Sequence, residues 1–128
     1  MKIIIALLIV VVLVVACQKK TAKGVQNIEP TLFAEKLKAT EDPQLLDVRT
    51  SEEFAGGHIG NADNVDWYGD DFAQKAADYD KSKPVFVYCK AGVRGGKAAN
   101  KLAELGFTEI YNLEGGIDKW NKTQTTHP

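Results

Sequence analysis

The chain has 128 residues, a length that fits one domain, and 16 Lys and Arg residues against 17 Asp and Glu give a formal net charge of −1. The charges are spread along the chain without a basic cluster, so nothing in them indicates a nucleic-acid-binding surface or a polybasic membrane patch. Hydrophobic residues make up 45% of the chain, so its body is expected to fold rather than to remain disordered.

The N-terminus has the pattern of an export signal. Lys2 is followed by an uncharged apolar run from residue 3 to residue 16. A membrane helix needs about 20 such residues, whereas a secretory signal has a positive start and an apolar stretch of roughly 7 to 15. We therefore interpret residues 1–16 as a signal peptide, with a short uncleaved anchor as the alternative.

The letters VVAC at the end of this run resemble the bacterial lipoprotein signal, in which the cysteine receives lipid and becomes the mature N-terminus. The resemblance implies lipidation of Cys17, a polar tether over 17–27, and an exported lipoprotein tethered to a membrane, periplasmic or at the cell surface. A chance cysteine is the alternative. Lipidation of Cys17 would leave Cys89 without a disulfide partner in the folded part, so an exported protein would carry an unexplained free thiol.

The ordered domain is expected to begin at Ile28 and to extend over 28–122, with a tail over 123–128. In chain order, hydrophobic spacing and turn residues predict a helix over 31–40, a buried strand over 44–48, a short helix from 51–53 to 56–57, a loop with a short strand over 58–65, and a helix over 70–79.

The second half begins with VFVY at 85–88, whose composition and flanking turn residues predict a strand. A helix from Arg94 to Leu105 ending at Gly106, a strand over 109–112, a turn over 113–116 and a helix over 117–122 follow. Strands that alternate with helices at these intervals indicate an α/β fold with a central parallel sheet covered by helices on both faces.

Cys89 begins a loop that has the features of an anion-binding site. It follows the carboxyl end of the VFVY strand and precedes a helix N-terminus, where unpaired N–H groups and the helix dipole favour negative charge. The same groups would stabilise a nucleophilic thiolate, with positive charge added by Arg94 and by Lys90. An alternative for Lys90 is a solvated surface lysine without a role in the site. The small residues Ala91 and Gly92 keep the backbone amides of the loop accessible to a bound anion.

Three ordered segments resemble the rhodanese family of sulfurtransferases: LLDVRTSEEFAGGHIGNADNV, VFVYCKAGVRGGKAANKLAELGF and YNLEGGIDKW. The resemblance implies a rhodanese-like three-layer fold and a persulfide on Cys89. It also implies that the departing group is held by Arg94 and by the loop amides, a set that comprises Lys90, Ala91, Gly92, Val93 and Arg94. The implied donor is thiosulfate or a related anion, the acceptor is cyanide or a thiol, and no metal or organic cofactor is required.

Asp47 and Arg49 are expected to form a supporting ion pair near the loop, and His58 is interpreted as a structural, hydrogen-bonded histidine. The sequence departs from the family pattern in two places, VDW at 65–67 and the Gly95–Gly96 pair.

Three other readings stay open. The first is a cysteine phosphatase. Those enzymes resemble the longer pattern C-x5-R, whereas this chain has C-x4-R from Cys89 to Arg94. A buried inert thiol is one alternative for Cys89, and a sulfur carrier or thiol-redox binding module on the same fold is an alternative function.

Overall fold

The computed structural model describes residues 22–125. The strands are β1 Val25–Ile28, β2 Gln44–Asp47, β3 Asp63–Asn64, β4 Val85–Tyr88 and β5 Ile110–Leu113. The helices are α1 Pro30–Ala39, α2 Ser51–Ala55, α3 Phe72–Ala76, α4 Val93–Glu104 and α5 Gly116–Thr125. The strands form one sheet in the order β1-β5-β4-β2-β3, and every pairing is parallel. The predicted α/β fold with a central parallel sheet flanked by helices is confirmed.

β4 is the middle strand, and its alternating side chains contribute to both halves of the core. Val87 and Cys89 pack in the cluster that includes the buried faces of α3 and α4. Phe86 and Tyr88 pack in the other cluster, with side chains from α1 and α5. A strand buried on both faces has a continuous apolar sequence, and for this reason the VFVY run allowed this strand to be predicted from the sequence. Cys89 is thereby fixed at the carboxyl end of the most buried strand.

Helix α4 begins and ends one residue earlier than the predicted span from Arg94 to Leu105. Gly106 follows it with a φ of +106°, a left-handed conformation that glycine adopts readily. In this turn the Phe107 N–H donates to the Leu102 carbonyl at 3.1 Å. The turn ends α4 and leads the chain back toward β5.

Strand β1 was not predicted, and it corrects the proposed tether boundary. Residues 25–27 were assigned to the polar tether, yet they pair with β5 in the register that places Val25 opposite Ile110. Only the two ends of β1 are buried, so the sequence VQNI lacks both an apolar run and a strict alternation. At the other end, α5 continues through Thr125, so the helix includes part of the predicted tail.

The predicted signal peptide and Cys17 lie outside the described residues. Within residues 22–125, every helix is too short or too polar to cross a membrane.

Candidate active site

The loop over 89–94 joins β4 to α4, and its geometry centres on the sulfur of Cys89. The Gly92 N–H donates to Cys89 Sγ across 3.0 Å. Gly92 has a φ of +106°, which turns the backbone so that this N–H faces back toward the sulfur. Negative charge on the sulfur therefore has a main-chain donor beside it, as the anion cradle requires.

Helix α5 anchors the start of this loop. The Ile117 N–H donates to the Cys89 carbonyl at 2.9 Å, and the Asp118 N–H donates to the Lys90 carbonyl at 3.1 Å. These donors belong to the first turn of α5, whose N–H groups have no partner within the helix. Both carbonyl oxygens are thus held by α5. The sequence predicted a turn over 113–116 and a helix over 117–122, but it gave no sign of this anchoring role.

Gly116 is the contact point between α5 and the loop. Its φ is +62°, and a Cβ atom built on it would overlap the carbonyl group of Lys90. Only glycine satisfies both the left-handed conformation and the close backbone approach.

Arg94 forms a two-pronged ion pair with Glu53 of α2. The two N···O distances are 2.6 and 3.0 Å, and the side chains are 17% and 28% exposed. The guanidinium lies 5.6 Å from the centre of the Tyr68 ring. Hydrogen bonding from Arg94 lowers the pKa of Glu53 to about 2, and the same contact raises the pKa of Arg94. Glu53 lies in the first of the three segments that resemble the rhodanese family, but the sequence did not predict this pairing.

Removing the charge of Glu53 is expected to produce a pH-dependent loss of stability. Glu53 also closes a capping box with Thr50, which glutamine preserves, so Glu53→Gln removes mainly the charge. The folded-state pKa of about 2 lies below the ordinary 4.5, so the ionised carboxylate stabilises the fold fully above pH 4.5. That contribution is lost progressively as the pH falls through 4.5 toward 2.

Urea unfolding of the wild type and of Glu53→Gln at several pH values measures this effect. The difference in unfolding free energy should be constant above about pH 5 and should shrink steadily below it. A difference that is the same at pH 3 and pH 7 would show that the ion pair does not stabilise the fold.

Lys90 is paired with Asp118 of α5, with Nζ 3.0 Å from the carboxylate. The two side chains are 59% and 48% exposed, so this ion pair lies at the protein surface. It borders a cleft of about 430 Å³ whose other lining residues include Glu52, Gly57, His58 and Asn121.

A second cleft, of about 470 Å³, lies on the other side of the loop and is lined by Ala91, Gly92, Val93, Lys97 and Asn112, among others. Ala91 and Val93 are exposed, whereas Cys89 is only 1% exposed. Cys89 is not among the lining residues of either cleft, so its sulfur is covered by its neighbours in this structure.

Asp47 and Arg49 form the expected ion pair at the end of β2. The closest N···O distance is 2.7 Å, and both side chains are buried. Arg49 also donates to the Gly57 carbonyl at 2.7 Å, so the pair ties β2 to the turn after α2. Hydrogen bonding to Asp47 raises the pKa of Arg49, which keeps the guanidinium charged.

In the Gly95–Gly96 pair, which departs from the family pattern, the structure explains Gly95. Asn112 of β5 is 3% exposed, and its amide donates to Asn27 Oδ1 at 2.9 Å and to the Gly92 carbonyl at 3.4 Å. A Cβ atom on Gly95 would overlap Asn112 Oδ1, whereas one on Gly96 would have room. Gly95 is therefore matched to Asn112, and both support the loop backbone.

The other departure from the family pattern, VDW at 65–67, has a packing role. Val65 is buried, and Trp67 packs edge-to-face against Phe72 at a centroid distance of 5.0 Å. This segment therefore covers the core beside α3.

His58 lies on the rim of the cleft beside Lys90 and stacks on the Phe54 ring at 4.0 Å. Its Nδ1 lies 3.3 Å from the Phe54 carbonyl oxygen, a local contact like that expected from the sequence. In the part of the chain that the structure describes, His, Cys, Asp and Glu side chains do not gather in a group of three or more that could hold a metal ion.

Comparison with known proteins places these features in a family. The family model described as Rhodanese-like domain matches residues 29–123. The chain is 44% identical over 96 residues to the uncharacterized protein YqhL of Bacillus subtilis, covering 74% of this chain and 75% of that protein. It is 35% identical over 96 residues to the thiosulfate sulfurtransferase GlpE of Coxiella burnetii, covering 74% and 87%. It is also 37% identical over 109 residues to the tRNA uridine(34) hydroxylase of Cytophaga hutchinsonii, covering 83% of this chain but only 34% of that protein.

Solved structures show the same fold. A rhodanese-like domain protein from Staphylococcus aureus superposes with a TM-score of 0.66 at 30% identity, covering 74% of this chain and 90% of that one. A rhodanese-related protein from Thermoplasma volcanium superposes with a TM-score of 0.67 at 30% identity, covering 77% and 92%. Because the family model matches residues 29–123 and these relatives share its sequence and fold, the chain belongs to the rhodanese-like domain family.

Proposed function

We propose that the protein is a sulfurtransferase that moves sulfane sulfur from thiosulfate or a related donor to cyanide or a thiol, through a persulfide on Cys89. The observation that carries this proposal is the main-chain N–H of Gly92 at 3.0 Å from the Cys89 sulfur, at the start of a six-residue loop on a rhodanese-like domain. The relative named thiosulfate sulfurtransferase supports the choice of donor.

In the first half-reaction, the Cys89 thiolate attacks the outer sulfur of thiosulfate. The sulfur–sulfur bond of the donor breaks, sulfite leaves with the bonding electron pair, and Cys89 carries a persulfide. The negative charge that develops on the leaving group is stabilised by the N–H groups of the loop at 90–94 and by Arg94. Two nitrogens of Arg94 donate to Glu53, and the guanidinium has five N–H donors in total, so further donors remain for an oxyanion.

In the second half-reaction, cyanide or a thiol attacks the outer sulfur of the persulfide and releases the Cys89 thiolate. The sulfur atom itself is the carried group, so the cycle uses neither a metal nor an organic cofactor. Because the first product leaves before the acceptor reacts, initial rates measured against thiosulfate at several cyanide concentrations should give parallel double-reciprocal lines. Lines that intersect would show that both substrates must be bound together, which contradicts the persulfide route.

A sulfur carrier or thiol-redox binding module with little turnover on small donors is the alternative. The burial of Cys89 favours it, since a protein partner could displace the loop more effectively than a small anion. Such a carrier would acquire sulfur only from a protein donor. A phosphatase, in contrast, would hydrolyse an aryl phosphate and gain no sulfur, and the short C-x4-R loop argues against it.

We further propose that the chain is exported and tethered to a membrane through lipid on Cys17. The support is the sequence pattern of the N-terminus alone. Metabolic labelling with a fatty acid tests this proposal: label that persists in Cys17→Ser, or an absence of label in the wild type, would refute it.

A further inference from the structure

Both cations of the Cys89 loop are already neutralised by carboxylates from the flanking helices. Lys90 is paired with Asp118 of α5, and Arg94 is paired with Glu53 of α2. The sequence suggested that these two cations would face a negatively charged donor. In the structure, each has a carboxylate partner before any donor arrives.

The surrounding charges do not restore a positive field. Arg49 also lines the cleft beside Lys90, but it is paired with Asp47. Glu52 lines the same cleft and adds a further negative charge. On the other side of the loop, Lys97 lines the second cleft together with Glu114. Each of these cations around the loop is therefore matched by a carboxylate, and Glu52 leaves one negative charge in excess on the α2 side.

We infer that Asp118 and Glu53 are specificity-determining residues, which hold the two loop cations and direct the site toward sulfur donors with a single negative charge. Organic persulfides and thiosulfonates belong to this class, whereas thiosulfate is a dianion. This inference rests on the proposed sulfurtransferase function. Asp118 and Glu53 cancel the attraction that Lys90 and Arg94 would otherwise exert on an anion. A dianion loses twice as much electrostatic stabilisation through this cancellation as a monoanion does.

The two pairs contribute differently. The Arg94–Glu53 pair is two-pronged and mostly buried, so it is a strong, charge-assisted contact. The Lys90–Asp118 pair is exposed, and such pairs are weak and screened by salt. Asp118 is therefore the residue through which donor preference can be changed without disturbing the core. Its backbone N–H, which holds the Lys90 carbonyl, is retained in any substitution.

The chemistry of a monoanionic donor balances without an added oxidant or reductant. The Cys89 thiolate attacks the outer sulfur of methanethiosulfonate, the sulfur–sulfur bond breaks, and methanesulfinate leaves with the electron pair. The charge is −2 on both sides of this step. Methanethiosulfonate differs from thiosulfate by a methyl group in place of one charged oxygen, which makes the two anions a matched pair of probes.

The test compares kcat/KM for thiosulfate and for methanethiosulfonate in the full chain and in Asp118→Asn. Loss of this charge should raise kcat/KM for thiosulfate about three- to tenfold and for methanethiosulfonate only about two- to threefold, with both gains shrinking at high salt. In the wild type, kcat/KM for thiosulfate should change little with ionic strength, because the loop surroundings carry no net positive charge.

Two variants serve as controls. Asp118→Glu keeps the charge and should keep the wild-type ratio of the two kcat/KM values. Glu104→Gln removes one exposed negative charge at the far end of α4 and should leave both values unchanged.

An unchanged ratio in Asp118→Asn, or a wild-type rate with thiosulfate that falls steeply with salt, would overturn the inference and leave the proposed function standing. Failure of both anions to load Cys89 of the wild type would overturn the proposed function, and the inference with it.

Discussion

Replacing Cys89 with serine should lower turnover with thiosulfate and cyanide by at least about a thousandfold, because a serine hydroxyl is a far weaker nucleophile than a thiolate. Serine occupies nearly the same volume, and the Gly92 N–H can donate to its hydroxyl as it does to the sulfur. The fold should therefore be retained, with a loss of about 1–2 kcal/mol in the free energy of unfolding from the buried hydroxyl. Initial rates and urea unfolding of the same preparation measure both effects.

Cys17 provides the matched control for this experiment. It is the other cysteine of the chain, and it precedes the described domain. Cys17→Ser should transfer sulfur at the wild-type rate. Activity that survived in Cys89→Ser would remove Cys89 from the reaction. Activity that was lost in Cys17→Ser would contradict a reaction carried by Cys89 alone.

Replacing Gly116 with alanine is expected to produce the largest effect of any single methyl group in the domain. The added Cβ would overlap the carbonyl group of Lys90, which cannot move without moving the loop, and a φ of +62° is unfavourable for alanine. Because displacements of about 1 Å at a reacting group cost up to roughly a hundredfold in rate, kcat/KM should fall about ten- to a hundredfold. The backbone strain should add a stability loss of about 1–2 kcal/mol.

A Gly60→Ala variant separates the effect of backbone strain on stability from the effect of loop displacement on activity. It has a similar left-handed φ of +48°, but a Cβ atom on it would meet nothing within 4 Å. Gly60→Ala should therefore lose about 1–2 kcal/mol of stability and keep its kcat/KM. Equal activity in the two variants would show that α5 does not position the loop.

The position of Cys89 could be predicted from the sequence because local signals agree there. The VFVY run has the continuous hydrophobicity of a strand buried on both faces, and small residues and a helical pattern follow it. These features place the thiol at a strand end before a helix N-terminus, and the structure places it there. Strand β1 gave no comparable signal, because two of its four residues face solvent at the sheet edge.

The charge partners in the site could not be predicted, because the partners are distant in the chain. Glu53 and Arg94 are 41 residues apart, and Lys90 and Asp118 are 28 residues apart. The sequence showed a cationic loop, whereas the fold supplies a carboxylate to each cation. The sequence could not explain Gly95 for the same reason, since Gly95 lies in α4 and its neighbour Asn112 lies on β5.

The persulfide on Cys89 can be tested directly by the intact mass of the protein after incubation with thiosulfate or methanethiosulfonate. We expect a gain of one sulfur atom per chain, located on Cys89 by fragmentation, removed by cyanide, and absent from Cys89→Ser. A protein that keeps its original mass with both donors, while remaining folded and reduced, would contradict the persulfide on which the proposed function depends.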